Sequence, residues 1–261
     1  LTLLAATAAG VAAQDPPADA GPPGPPDQPK SWSWGLLVAG ITQQQPYTGI
    51  KRFNFAIPLV YFENRWVQLL GPRLDVKAHS FKWGKDQELA FGAGINLFGF
   101  NGYKAKDAPI LNGMEDRKNG IFVGPFAKWS NPLVNVTAEW MLDASRNSEG
   151  QRFSIGVERT FGAGRHLMFT PSAAVTTLDK KYTDYYYGVR GTEARADRPA
   201  YVAEGTTNAD LGLRIDYMLD QKQAVFGSLQ YTGLGSEIKN SPLVDRSGET
   251  FVLVGYLYRF R

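Results

Sequence analysis

Residues 249–261 read ETFVLVGYLYRFR. Val252, Val254, Tyr256, Tyr258 and Phe260 fall on one side of this stretch, and Phe251, Leu253, Gly255, Leu257 and Arg259 on the other. Successive side chains leave opposite faces in an extended strand, so the period of two identifies one. The first side is apolar and ends in aromatics. On a soluble edge strand such a face invites aggregation. On a strand that closes a barrel in lipid it is required, with aromatics at the membrane–water boundary. The last strand of a soluble sandwich shows the same alternation, so the rest of the chain has to decide.

The chain has 261 residues, with 28 Gly, 12 Tyr, 15 Phe and 6 Trp, a composition suited to strands and turns rather than helices. That length allows one large β domain or two ordinary ones. Cys is absent, which fits an exported protein without a disulfide framework. A formal net charge of +3, spread along the chain, makes no case for nucleic acid as a partner. No apolar run reaches the roughly 18 residues of a spanning helix, so any membrane crossing has to use strands.

Residues 1–13, LTLLAATAAGVAA, read as the remnant of a signal peptide, with Val11 and Ala13 small enough for signal peptidase. Residues 14–30, QDPPADAGPPGPPDQPK, read as a Pro-rich, disordered spacer that spans on the order of 50 Å when extended. Residues 31–261 then carry the barrel pattern.

Ser31 to Thr42 is apolar on both sides. On the next segment Phe53, Phe55, Ile57, Leu59 and Tyr61 share a face, which reads as the lipid side. Trp66 to Phe81 reads as one unbroken strand, with Leu70, Leu74, Val76 and Ala78 opposite Arg73, Asp75, Lys77 and His79. Further apolar faces run through Leu89–Leu97, Ile121–Trp129, Val134–Leu142, Phe153–Val157, Leu167–Val175, Leu211–Leu219 and Val225–Tyr231. Long loops near 99–120, 182–205 and 240–248 alternate with short turns. Wide, uniform apolar faces with alternating short and long connections point to a transmembrane antiparallel up-and-down β-barrel, all-β in class. Parity leaves 10 or 12 strands, because about eleven segments are visible and bacterial single-chain barrels have even numbers.

The inward set forms a lumen polar cluster of both signs: Arg73, Asp75, Lys77, Glu88, Glu139, Asp143, Arg152, Glu158, Arg214 and Asp216. A small barrel is filled by its side chains, and an unpaired buried charge is costly, so these groups are expected to pair into a plug rather than line a pore.

Met114-Glu115-Asp116-Arg117-Lys118, Asp184-Tyr185-Tyr186-Tyr187-Gly188-Val189 and Ser241-Pro242-Leu243-Val244-Asp245-Arg246-Ser247 resemble the MipA/OmpV family of outer-membrane proteins. Pro46-Tyr47-Thr48-Gly49, Ile57-Pro58-Leu59 and the closing Tyr256-Leu257-Tyr258-Arg259-Phe260 add to the resemblance, which runs from Trp32 to Phe260. It implies a barrel in the outer membrane of a Gram-negative cell, reached through a signal peptide. It also implies a scaffold role beside a murein transglycosylase and a murein synthase, with a small porin-like, uptake or adhesion barrel as the alternative. Outer-membrane lipids and lipopolysaccharide are the further expected contacts.

Catalysis is not expected. His79 and His166 sit near short turns and lack a nucleophile motif, and no set of His, Cys, Asp or Glu has metal-ligand spacing. No cofactor motif is visible. Within the loops, Glu115, Asp116, Arg117, Lys118, Tyr185, Tyr186, Tyr187, Ser241, Pro242 and Asp245 are candidate interaction residues. Loop packing is the favoured reading of them, and glycan contact the alternative.

Overall fold

In lipid a backbone amide finds no water, so strands that alternate apolar and polar residues are stable only when each is paired on both sides. The computed structural model closes its strands into one ring. It describes residues 32–84, 86–97 and 101–260; the expected signal remnant (1–13) and spacer (14–30) lie outside the described residues. The strands are β1 (Ser33–Gln44), β2 (Phe53–Glu63), β3 (Val67–Leu70), β4 (Arg73–Trp83), β5 (Gln87–Asn96), β6 (Phe122–Ser130) and β7 (Asn135–Asp143). They continue with β8 (Gln151–Glu158), β9 (Phe161–Ala163), β10 (Leu167–Leu178), β11 (Thr206–Met218), β12 (Gln223–Gly233) and β13 (Gly248–Arg259). Each wall strand pairs antiparallel with its chain neighbours, and β13 pairs with β1 to close the ring. β8 and β9 both pair with β10, so β9 continues β8 and the wall is twelve-stranded.

The count of twelve comes from Gly71-Pro72. Trp66–Phe81 is not one strand: Gly71 takes a left-handed backbone (φ +57°), and the chain reverses there. In a two-residue hairpin the flanking residues lie directly opposite and share a face. Leu70 therefore faces inward beside Arg73, while Leu74 and Val76 face lipid, although all three have the same parity in sequence.

Two other assignments change. The register between Lys77 and His79 shifts by a β-bulge, which turns His79 to the lipid side, where its ring meets Phe81 at 4.5 Å. The Phe55–Tyr61 face of β2 is not the lipid face. Phe55, Ile57, Leu59 and Tyr61 lie opposite Ile41, Ala39, Leu37 and Gly35, the buried inward face of β1. The polar groups at the inner end of the strand dictate this. The Tyr61 hydroxyl donates to Glu63 (2.7 Å), and Glu63 pairs with Lys77 (3.2 Å), an arrangement that needs the lumen rather than lipid.

Elsewhere the apolar faces point outward as expected. Trp129, Trp140, Ile155, Leu211, Leu229 and Val254 are large and exposed on the outside of the wall. Trp34 stacks on Phe260 (4.2 Å) where β1 begins beside the end of β13. The four longest connections, 45–52, 97–121, 179–205 and 234–247, leave one end of the barrel together with the 71–72 hairpin and the 144–150 turn, and the turns that follow β2, β4, β6, β9 and β11 leave the other. Short turns face the periplasm in barrels of this kind, so the four longer connections lie outside.

This topology predicts that single cysteines at Asn112, Ala194 and Arg246 react with an impermeant maleimide in intact cells. Cysteines at Arg165 and Gln221 are expected to react only after the outer membrane is permeabilised. The reverse pattern refutes the orientation.

Candidate functional site

The four outer connections pack into one lid. Its core is Tyr47, Tyr103, Leu111, Met114, Tyr182, Tyr186, Tyr187, Val189, Ile238 and Leu243, which rest on Phe122, Met141 and Leu178 at the barrel mouth. A short helix, α1 (Lys180–Tyr187), brings three of these tyrosines inward. It starts because the Asp179 carboxylate caps the Tyr182 N–H (2.9 Å), a side-chain acceptor for an otherwise unpaired first-turn donor. Tyrosine suits this position, since each ring excludes water while its hydroxyl reaches a polar partner. The Tyr47 hydroxyl donates to the carbonyls of Asn101 (3.3 Å) and Tyr186 (3.2 Å), that of Tyr186 to Lys118 (3.2 Å), and that of Tyr182 is bonded by the Asn101 amide. Burial pushes the Tyr182 phenol up to about 12, and the Tyr47 and Tyr187 phenols well above their ordinary value. All three phenols are neutral at any physiological pH.

A buried ion pair ties the lid across the sequence. The Arg117 guanidinium holds both Glu193 carboxylate oxygens (2.9 and 3.0 Å), with 2 % and 4 % of the two side chains exposed. Arg117 Nε also donates to the Tyr185 carbonyl (2.8 Å), and Glu193 accepts the Glu115 N–H (2.9 Å). Burial works against the Glu193 charge. Donation by the Glu115 and Arg190 amides and by Arg117 outweighs it and holds the carboxyl below the usual glutamate value. A second buried guanidinium, Arg198, donates to the carbonyls of Glu193 (Nε, 3.2 Å) and Asn112 (Nη1, 3.1 Å).

Of the candidate loop residues, Arg117, Tyr186, Tyr187 and Ser241 are buried in this lid. Ser241 Oγ donates to the Tyr187 carbonyl (2.6 Å). Tyr185 and Pro242 are half-buried, while Glu115, Asp116, Lys118 and Asp245 are exposed. Tyr47, Asn101, Tyr182, Glu193 and Arg198 were not among the candidates. Their roles depend on contacts between segments far apart in the chain, and the only sequence signal is the number of tyrosines and arginines inside loops.

Below the lid the lumen has two unlike walls. The charged residues expected there all belong to inward positions, but they divide into local groups rather than one cluster. Arg73 binds Asp75 (2.6 Å) and Glu139 (2.9 Å); Lys77 pairs with Glu63, Glu88 with Lys82 (3.8 Å), Glu158 with Lys128 (3.5 Å) and Arg214 with Asp216 (2.6 Å). Arg152 lies over the Phe122 ring (4.7 Å) under the lid, and Asp143 accepts the N–H and hydroxyl of Ser148 (both 2.7 Å), which shapes the 144–150 turn. Gly94 leaves the space that the Arg73 guanidinium occupies, since a β-carbon there would fall 2.4 Å from Nη2. The other wall, on β12, β13, β1 and β2, is apolar, with Leu37, Ala39, Phe226 and Leu257 at its centre.

Neither histidine faces this lumen as an acid–base group. His79 is on the lipid side, and a His166 ring nitrogen meets the Met218 carbonyl at 2.7 Å. Among the described residues no group of three or more His, Cys, Asp or Glu is placed to hold a metal ion.

Arg117→Met strands a buried carboxylate, so it is expected to destabilise the lid by roughly 3–5 kcal/mol. Limited proteolysis of loop 101–119 measures this, while the barrel's heat-modifiable migration stays unchanged. The low pKa of Glu193 sets a pH dependence. Its contribution is complete above the unfolded glutamate value of about 4.3 and is lost as pH falls through the lower folded value. Protease protection of the lid is therefore expected to fall on acidification below about pH 4, and Glu193→Gln to remove that step. Gly94→Val is expected to displace Arg73 from Glu139 and lower the unfolding temperature, with the lid's protection intact.

Residues 37–260 match the family described as MltA-interacting protein MipA. The outer membrane protein Omp26La of Vibrio anguillarum is 27 % identical over 158 residues, which is 60 % of this chain and 61 % of that protein. The putative outer membrane protein YiaT of Escherichia coli K12 is 25 % identical over 218 residues, 83 % of this chain and 87 % of that one. The MltA-interacting protein of the same strain is 25 % identical over 231 residues, 86 % of this chain and 89 % of that one. The match to the Vibrio relative thus takes in less than two thirds of that protein's length. With its closed twelve-stranded wall, the chain belongs to the MltA-interacting protein MipA family and is an outer-membrane β-barrel.

Proposed function

We propose that this chain is a non-catalytic interaction protein of the outer membrane, whose periplasmic end docks a murein transglycosylase. The observation that carries this reading is the lid: the outer mouth is filled by side chains whose polar groups are turned on one another. A mouth closed by ion pairs and buried tyrosines is poorly suited to passing solutes. The inner end is different. The β9–β10 turn, Phe161 to Arg165, is exposed, as is Trp83 at the end of β4. Exposed aromatics beside Arg165 are the residue types enriched at protein interfaces.

The name of the Escherichia coli relative supplies the partner class. A murein synthase joins the proposal as the second enzyme such a scaffold would hold, and the spacer 14–30 as an additional tether. The exposed cationic side chains of the lid, Lys104, Lys106, Lys118 and Arg246, suit contact with the phosphates of lipopolysaccharide. The absence of catalysis is part of the same reading, supported by the placement of His79 and His166.

Recovery of a murein transglycosylase from envelope extracts by the purified chain tests this. Recovery is expected to survive shortening of the outer loops and to fall with Phe161→Ser and Trp83→Ser. In planar bilayers the intact chain is expected to give small or no conductance, and removal of residues 103–118 to raise it. Large, steady channels from the intact chain, with no transglycosylase recovered, would establish the porin-like alternative.

A further inference from the structure

In a closed barrel every strand is paired on both sides, so no backbone edge meets lipid. β2 departs from this. Its β1 side is paired from Phe53 to Glu63, whereas its β3 side is paired only from Tyr61 to Glu63. One further bond, from the Gly71 N–H to the Val60 carbonyl (3.4 Å), ends that ladder. Among the described residues no strand covers the β3 side of β2 above Val60. Because Val60 presents its carbonyl to that side, alternate residues present their backbone there too, and Pro58 is one of them. Proline has no N–H to leave bare, which is why it is tolerated at an open strand edge. Among the described residues the strand ladder of the wall is interrupted over the outer half of β2.

The lumen beside the interruption is apolar. Ile41 and Ala39 on β1 and Phe55 and Ile57 on β2 face inward, where a water-filled barrel would carry polar groups. At the outer end of this strip Gln43 is buried, with 2 % of its surface exposed, and its side-chain Nε2 has no hydrogen-bond partner. A buried amide donor without an acceptor is unfavourable and marks a place where an oxygen is missing. On the lipid side of the same strands a groove of about 490 Å³ runs between Gly40, Asn54 and Val254.

We propose that the open side of β2 is a lateral portal for the acyl chain of an outer-leaflet lipid. The chain lies against the half-buried Phe55 and Ile57, and its ester carbonyl accepts a hydrogen bond from Gln43. An acyl ester matches both features at once, since a long apolar strip with one donor at its end repeats the order of groups in a lipid. The bilayer is the one source of that chemistry in contact with the portal. The proposal stands apart from the partner at the inner end and is tested separately from it.

The native chain has no Cys, so single-cysteine variants carry one label each. Ile57→Cys, the lipid-facing Val38→Cys and the charged-wall Thr137→Cys are labelled with bimane in the full chain. They are then reconstituted into vesicles of phosphatidylcholine bearing dibromostearoyl chains, and heat-modifiable migration checks the fold of each. If Ile57→Cys fails to fold, Ala39→Cys replaces it. Bimane at Ile57 is expected to be quenched several-fold more than at Thr137 and to approach the quenching at Val38. Adding Gln43→Met is expected to reduce quenching at Ile57 and leave Val38 unchanged. Quenching at Ile57 no greater than at Thr137, with Val38 strongly quenched, would overturn the portal; no effect of Gln43→Met would overturn the ester contact.

Discussion

The ladder between β1 and β13 is the constraint on which the rest of this molecule depends. A sheet in hydrocarbon cannot leave a row of amides and carbonyls bare, so the first strand has to meet the last. Residues 35–44 of β1 do so against residues 250–259 of β13, and that register fixes which face of each points inward. Once Leu37, Ala39 and Ile41 are turned to the lumen, β2 has no freedom: its ladder with β1 carries Phe55, Ile57 and Leu59 inward as well. The apolar wall of the lumen is a consequence of ring closure as much as of the composition of β2.

The charged wall opposite is built on another principle. Arg73 sits between Asp75 and Glu139 with Asn96 nearby, and Gly94 yields the room. Such groups tolerate a narrow lumen because each charge has a partner within its own or a neighbouring strand. The lid extends the same economy outside the bilayer, where the Arg117–Glu193 pair and the tyrosine hydroxyls satisfy the polar backbone of four irregular segments.

Much of this was legible in the sequence, and what was not has specific causes. Period-two alternation located the lipid faces of β5 to β8 and β10 to β13, because there one face is apolar and the other is not. It failed on β2, where Asn54, Ala56 and Pro58 make a weak lipid face and Phe55, Ile57 and Leu59 a strong inner one. It failed again at Gly71-Pro72, because a two-residue hairpin inverts the parity of the faces without disturbing the sequence alternation. The bulge beside Ala78 moved His79 for the same kind of reason. The lid was legible as motifs but not as an object. Arg117 and Glu193 stand 76 residues apart, and no local pattern reports that they meet.

The short β3 hairpin also makes the wall mechanically uneven. A closed barrel carries lateral stretch as a hoop does, with each interstrand ladder bearing the same load. Between β1 and β2 that load is spread over eleven residue pairs, and between β2 and β3 over three. When the surrounding membrane pulls on the barrel, strain concentrates at Tyr61–Glu63. The ring then yields at one seam rather than uniformly.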